Sequence, residues 1–575
     1  MNFLQLKKNA KKDFSKYAHT RIKVAVLGDT PTQLLTTSLI GYGFEEGVSF
    51  EIYEAEYQQA VREIMNASSS LYSFDAAFII IFFAAEELYK KFALTPLSKR
   101  PQFAQKQIEL YETLVAAIEA NTTSKVILFN FWQVPDNVFG NFGNKTQYSF
   151  TYQLRAINMG IMQMAANQKN LFVLDVDSLQ NQQGYNARLN KAVYVNTGIV
   201  TNPDFLVPVA QNITRIILSV TGRFYKCLIV DMDNTLWGGV IGDDGIDNIQ
   251  IGNLGIGKAY TDLQLWIKQL NQRGVIIAVC SKNEESTVKE VFEKHPDMQL
   301  RMDDIAFFAV NWDNKADNIR LIQAALNISF DSMVFIDDNP FERNLVRKEL
   351  PEVCVPELPG DPAGYAGFLQ ELNLFETASF TIEDTVRNEQ YKKEAERVKA
   401  KQIFTNEDEY LANLDMKAIV GRFNSFNIPR LAQLSQRSNQ FNLRTVRYTE
   451  KDIEALATDS NYMVFDFSLK DKFGDNGLVS MVVLKKQENG FFIENWLMSC
   501  RVLKRSLENF VLNTLVEHAI KENVLLFTGE YLPTVKNAMV KDFYPSLGFI
   551  PAGNNLWQLN LNNFTPLKTF IKERA

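Results

Sequence analysis

Short apolar runs that stop abruptly at polar residues, with helix-length segments between them, limit most strongly what this chain can become. Four lie early, at 22–29 (IKVAVLGD), 74–84 (FDAAFIIIFFA), 124–131 (SKVILFNF) and 170–177 (NLFVLDVD). A strand apolar on both faces must be covered on both faces, so this spacing predicts a parallel sheet inside an α/β sandwich. The pattern restarts near Gly222 with YKCLIVDMDNT (225–235), VIIAVCSKN (275–283), AFFAVN (306–311) and SMVFIDDNP (332–340). Helical segments are expected at 257–274, up to 294, and at 315–327. This is the grammar of a doubly wound sheet, which binds ligands at the carboxyl ends of its strands.

After a charged stretch at 383–401, read as a solvated connector or a packing helix, the pattern changes to alternating strands. They flank a turn at Gly474-Asp475-Asn476-Gly477, and a helix at 505–522 follows. The expected division is 1–222, 223–380, a helical connector at 381–402, and an antiparallel α+β domain at 403–575. Length supports several cores, since 575 residues exceed one domain.

Composition narrows the function classes. A net charge of −7 supplies no global basic field, so nucleic acid is not an expected partner. The longest strongly apolar run, 76–85, is too short to span a bilayer, so no membrane role is expected. Four cysteines without CxxC spacing fit a reducing, cytoplasmic setting and argue against a zinc site.

The chemistry sits where the second set of runs ends. Asp231 and Asp233, then Ser281, Lys315, and Asp337 with Asp338, converge on one crevice if the strands are parallel. Clustered carboxylates repel unless a cation shares the site, and an all-oxygen set suits Mg²⁺, with Asp231, Asp233, Asp337 and Asp338 as candidate metal-side groups. Asp231 is then placed as nucleophile toward a phosphoryl group, and Asp233 as acid and base. Thr235, Ser281 and Lys315 would steady the phosphoryl oxygens. Each motif alone reads more blandly as a turn, a cap or a surface lysine; their joint order is what carries the reading.

Asp231-x-Asp233-x-Thr235, Ser281, Lys315 and Asp337-Asp338 resemble the four motifs of the haloacid dehalogenase (HAD) superfamily of aspartate-dependent phosphoryl transferases. The longer strings DMDNTLWGGVIGDDG, VCSKN, NWDNKADNI and FIDDNPFERNLVR are similar to the FkbH-like family, as are RSNQFNLRTVRYT and KDKFGDNGLVS further on. That resemblance implies a Mg²⁺ enzyme that loads a glyceryl unit from 1,3-bisphosphoglycerate, a phosphorylated three-carbon acyl donor, onto an acyl carrier protein with loss of phosphate. It also implies a nucleophilic thiol, for which Cys280 is the candidate; the alternative is a buried apolar residue on the sheet face opposite Ser281. About twenty residues separate Thr235 from the next helix, too few for a folded cap, so an open site is expected. Two other functions stay open, a plain phosphatase acting on another small phosphoester and a non-catalytic assembly scaffold.

The flanking parts carry weaker expectations. The first resembles a flavodoxin-like SGNH hydrolase, with Thr30 where such enzymes carry a serine nucleophile and Asn130 at the oxyanion position. No histidine lies between His19 and His295, so hydroxyl activation lacks its usual base and a degenerate module is expected. The last part resembles a GNAT-like acyltransferase fold, in which Arg501, Lys504 and Arg505 would meet a carrier's phosphopantetheine arm.

Overall fold

The computed structural model describes residues 1–574 except 18–19, 402–403, 405, 439 and 535–536. His19, the boundary at 402–403 and Asn439 of the RSNQFNLRTVRYT string therefore lie outside the described residues. The chain forms two compact units, Met1–Leu218 and Ser219–Ala575.

In the first unit, five parallel strands run in the order Val48–Glu54, Thr20–Gly28, Phe78–Phe82, Lys125–Phe129 and Leu171–Leu174. Phe78–Phe82 lies centrally and every one of its residues is buried, as a doubly covered strand requires. The edge strand Val48–Glu54 escapes the apolar-run criterion because only alternate residues at its start are buried. The first residues form a short helix, Phe3–Asn9, capped by the Asn2 side chain, and then a single 3₁₀ turn at Phe14–Lys16.

The second unit contains two sheets. The first is parallel, ordered Phe307–Val310, Ile276–Ser281, Cys227–Val230 and Met333–Ile336. Alternation sorts its side chains: Leu228, Val230, Ile277, Val279, Val334 and Ile336 pack into one layer, and Cys227, Ile229, Ala278, Cys280, Met333 and Phe335 into the other. Burying each large side chain is worth roughly 1.5–3 kcal/mol, so a polar replacement within these runs is costly.

The other sheet is mixed and eight-stranded, centred on Tyr462–Asp471, Gly474–Gln487 and Gly490–Met498, which pair antiparallel. Its hairpin reverses at Lys472-Phe473, because Asp471 pairs with Gly474. Asp475-Asn476-Gly477 therefore opens a strand and is not the turn that the sequence suggests. The Asp471 carboxylate fixes the reversal by accepting from the Phe473 and Gly474 amides. The 383–401 stretch becomes two helices, Ile382–Thr385 and Arg387–Lys401. The second is a packing helix, with Tyr391 joining the core layer that contains Cys280. Among the described residues, no helix is long and apolar enough to cross a membrane.

Candidate active site

The crevice begins where Cys227–Val230 ends. The Asp231 amide still donates to the Ile336 carbonyl (3.0 Å), which aligns this strand end with Asp337 and Asp338 on its neighbour. The chain then turns sharply through Asn234, whose φ of +54° is left-handed and suits asparagine. Gly238 follows because a Cβ there would meet the Tyr260 ring and Gln250 Oε1 at 2.9 Å. Gly238 and Gln250 exchange backbone hydrogen bonds, and a single short helix, Ile241–Asp244, occupies the place of a cap.

Asp231, Asp337 and Asp338 offer carboxylate oxygens that all lie within 4.8 Å of one another. Lys315, the first residue of helix Lys315–Leu326, places Nζ 2.7 Å from Asp231 Oδ1 and 2.5 Å from Asp337 Oδ2. Burial alone would pull the ammonium's pKa down, but Asp231 and Asp337 outweigh it and hold it above the ordinary lysine value. Asp337 is pushed up to about 6, first by burial and then by the Asp231 charge. Asp338 is raised for the same reasons in the same order. Three carboxylates around one ammonium leave an excess of negative charge in a buried place, and the donor set is all oxygen. These residues fit a hard divalent cation such as Mg²⁺.

Asp233, expected among the metal-side carboxylates, is not part of this close triad. Its Oδ1 accepts from Trp237 Nε1 (2.9 Å) and the Ile241 amide (3.1 Å), and its Oδ2 from Asn283 Nδ2 (2.9 Å). Burial raises its pKa and these three donors oppose the rise, leaving the carboxyl above its ordinary range. Asn283 also donates to Ser281 Oγ (3.2 Å), which ties the second strand end to the acid. Thr235 Oγ1 accepts from the Asp338 amide (3.1 Å) and is fully buried, so it joins two strand ends.

Sequence reasoning missed two supporting groups. Arg343 is 3% exposed and donates to the carbonyls of both Asp337 and Asp338 (2.7 Å each), fixing the acidic turn. Trp237 is wholly buried, with its indole N–H spent on Asp233. Both stand inside the quoted strings; their signal was a large polar or amphipathic side chain directly after a motif, which a pattern of carboxylates does not score.

Cys280 points away from the crevice. It is fully buried in the opposite layer, its Sγ lies 3.8 Å from the Lys315 carbonyl, and burial pushes its thiol well above the ordinary range. A neutral, enclosed thiol is a poor nucleophile, which corrects the acyl-acceptor expectation. The proposed carrier-binding cations also separate. Arg505 is buried on Glu394 and Asp471, Arg501 is buried beside Gln390 and Ser499, and Lys504 is exposed with a φ of +60°. Arg505 is a structural ion-network residue here, Arg501 turns to neutral partners, and the two do not share one surface with Lys504. In the first unit, the Thr30 hydroxyl donates to the Gly198 carbonyl (3.1 Å), and Asn130 Nδ2 donates to Asp175 Oδ1 (2.7 Å).

Residues 23–218 match the family model for the FkbH N-terminal domain. The N-terminal part of BF1531 from Bacteroides fragilis, containing a phosphatase domain complexed with Mg, is 46% identical, with a TM-score of 0.64. The alignment covers 66% of this chain and 100% of that one. The ribosomal-protein-S18-alanine N-acetyltransferase of Escherichia coli is 16% identical with a TM-score of 0.21, covering 26% of this chain and 99% of its own. The Vibrio cholerae spermidine N-acetyltransferase, in complex with CoA and spermine, is 11% identical with a TM-score of 0.21, covering 25% and 96%. No curated protein matches. By identity along the whole compared length of the Bacteroides fragilis protein, the chain belongs to the same family as that phosphatase-domain protein, and it carries an FkbH N-terminal domain at 23–218.

Proposed function

We propose that the crevice is the active site of a Mg²⁺-dependent phosphatase and acyltransferase that releases phosphate from a phosphorylated three-carbon acyl donor and passes the glyceryl group to an acyl carrier protein. The observation that carries the phosphoryl chemistry is the Asp231–Lys315–Asp337 contact beside Asp338, buried at the carboxyl end of a parallel sheet. Mg²⁺ held by Asp231, Asp337 and Asp338 would neutralise phosphoryl oxygens. The carrier thiolate attacks the acyl carbon and expels the C1 phosphate, and Asp231 attacks the phosphorus of the remaining C3 ester phosphate, taking the phosphoryl group as an aspartyl-phosphate. Asp233, held protonated more readily than an ordinary aspartate, gives its proton to the leaving oxygen and later takes one from water. Lys315 balances the charge that develops on the equatorial oxygens, and Ser281 donates to one of them.

The small segment between Thr235 and Gly257 leaves room for a bulky or carrier-bound substrate, which favours the acyl-transfer reading. The enclosed Cys280 favours transfer straight to the carrier's own thiol, and it equally favours the second reading, plain hydrolysis of another small phosphoester. Incubation with 1,3-bisphosphoglycerate and carrier, followed by intact-mass analysis, decides between them. A glyceryl mass gain on the carrier supports transfer, whereas phosphate release without it leaves a phosphatase.

A further inference from the structure

The strands of the central sheet have another end. Lys226, just before Cys227–Val230, and Ile276, at the start of its neighbour, line a cavity of about 50 Å³ remote from the Asp231 crevice. That is several times the ~10–15 Å³ a single water needs on the same measure. Besides Lys226 its wall carries Arg387, Arg430, Arg437 and Arg501.

These arginines meet few opposite charges. Arg387 and Arg437 share the Asp384 carboxylate, and Arg430 Nε lies 2.8 Å from Glu383. Arg501, 5% exposed, donates to neutral partners only: Gln390 Oε1, Ser499 Oγ (3.3 Å) and the Asn476 carbonyl (3.4 Å). Four guanidiniums therefore contact two carboxylates. Burial pulls Arg387, Arg430 and Arg501 below their ordinary range, and each also feels another arginine of the three. Desolvated like charges in one cavity are costly unless an anion shares the space.

We infer that this cavity binds a phosphate-type oxyanion, either inorganic phosphate or the terminal phosphate of an organic ester, with Arg501 and Arg430 as its principal donors and the Ser438 and Ser499 hydroxyls beside them. The guanidinium fork matches tetrahedral oxyanions through paired hydrogen bonds. The site is separate from the crevice and does not rest on the function proposed for it. Cys500 also lines the wall, partly exposed, with its Sγ 4.0 Å from the Tyr391 hydroxyl, and so reports occupancy.

The test uses the full chain with Asp231→Asn, so that turnover does not intervene. Equilibrium dialysis with radiolabelled inorganic phosphate is expected to find a bound phosphate whose affinity falls about tenfold or more in Arg501→Gln, the size of a lost charge-assisted hydrogen bond. Iodoacetamide labelling of Cys500, read by peptide mass, is expected to slow several-fold with ligand while Cys354 labelling stays constant. Protection by inorganic phosphate identifies a free-anion site; protection by phosphopantetheine alone identifies an ester arm. Phosphate binding unchanged by Arg501→Gln overturns the inference. If that variant does not fold, equal Cys500 labelling with and without phosphate, pyrophosphate and phosphopantetheine overturns it instead.

Discussion

The sheet of the first unit and the central sheet each carry the end of a buried strand into an aspartate, Asp29-Thr30 in one and Asp231-Met232-Asp233 in the other. Both ladders are parallel, and both strands are covered on two faces. In the first unit the polar groups are consumed locally: Asp29 accepts from the Ala84 amide, Thr30 is bonded to Gly198, and Asn130 is bonded to Asp175. In the central sheet the corresponding ends converge, with one lysine spanning two carboxylates. One architecture thus hosts a strand end that stabilises and a strand end arranged for reaction, so function follows from the site and not from the fold.

The sharpest test of that contrast is a pair of substitutions at equivalent strand ends. Asp231→Asn is expected to lower phosphate release at least about a thousandfold, as loss of a nucleophile does, while Thr30→Ala leaves it within about twofold. A phosphate-release assay on both checks this, and a Thr30 effect of equal size would erase the distinction. Next in size, Lys315→Met removes the one ammonium beside two buried carboxylates and a half-buried third, and should destabilise the protein by about 3–5 kcal/mol. Added Mg²⁺ should restore more of the thermal midpoint in this variant than in the parent, measured by differential scanning calorimetry.

Asp29 provides a pH test in the other unit. Its carboxyl is raised from 3.8 to about 6, mainly by burial, so the folded chain holds that proton more tightly than the unfolded chain. The contribution favours folding below pH 3.8 and is lost as pH rises through 6. Asp29→Asn should therefore stabilise the first unit by up to about 3 kcal/mol at pH 7 and by little near pH 4, as followed by denaturant titration at both pH values. The smallest expected effect is on stability in Thr30→Ala, about 1 kcal/mol for one lost hydrogen bond, read in the same titration.

Much of this was legible because the apolar runs and the motifs coincide. Leu228–Val230 followed by Asp231, and Val275–Val279 followed by Ser281, specify a strand and its chemical end together. Details that depend on tertiary partners were not legible. The sequence places Asp233 two residues from Asp231, yet Trp237 and Asn283 draw its carboxylate out of the triad. Arg501 and Arg505 stand in a basic cluster suited to an anionic arm, but Glu394, from a helix more than a hundred residues earlier, claims Arg505. The hairpin at 471–474 was misplaced because Gly-Asp-Asn-Gly has strong turn chemistry, whereas the Asp471 carboxylate closes the reversal around Lys472-Phe473, a pair without such a signal.

The Lys315 contact with Asp231 breaks a symmetry. In water the two oxygens of a carboxylate are interchangeable and either can attack. Here Oδ1 is paired with the ammonium, so in the proposed reaction Oδ2 is the oxygen left to attack. The choice between the two oxygens is thus written into a single ion pair before any substrate arrives.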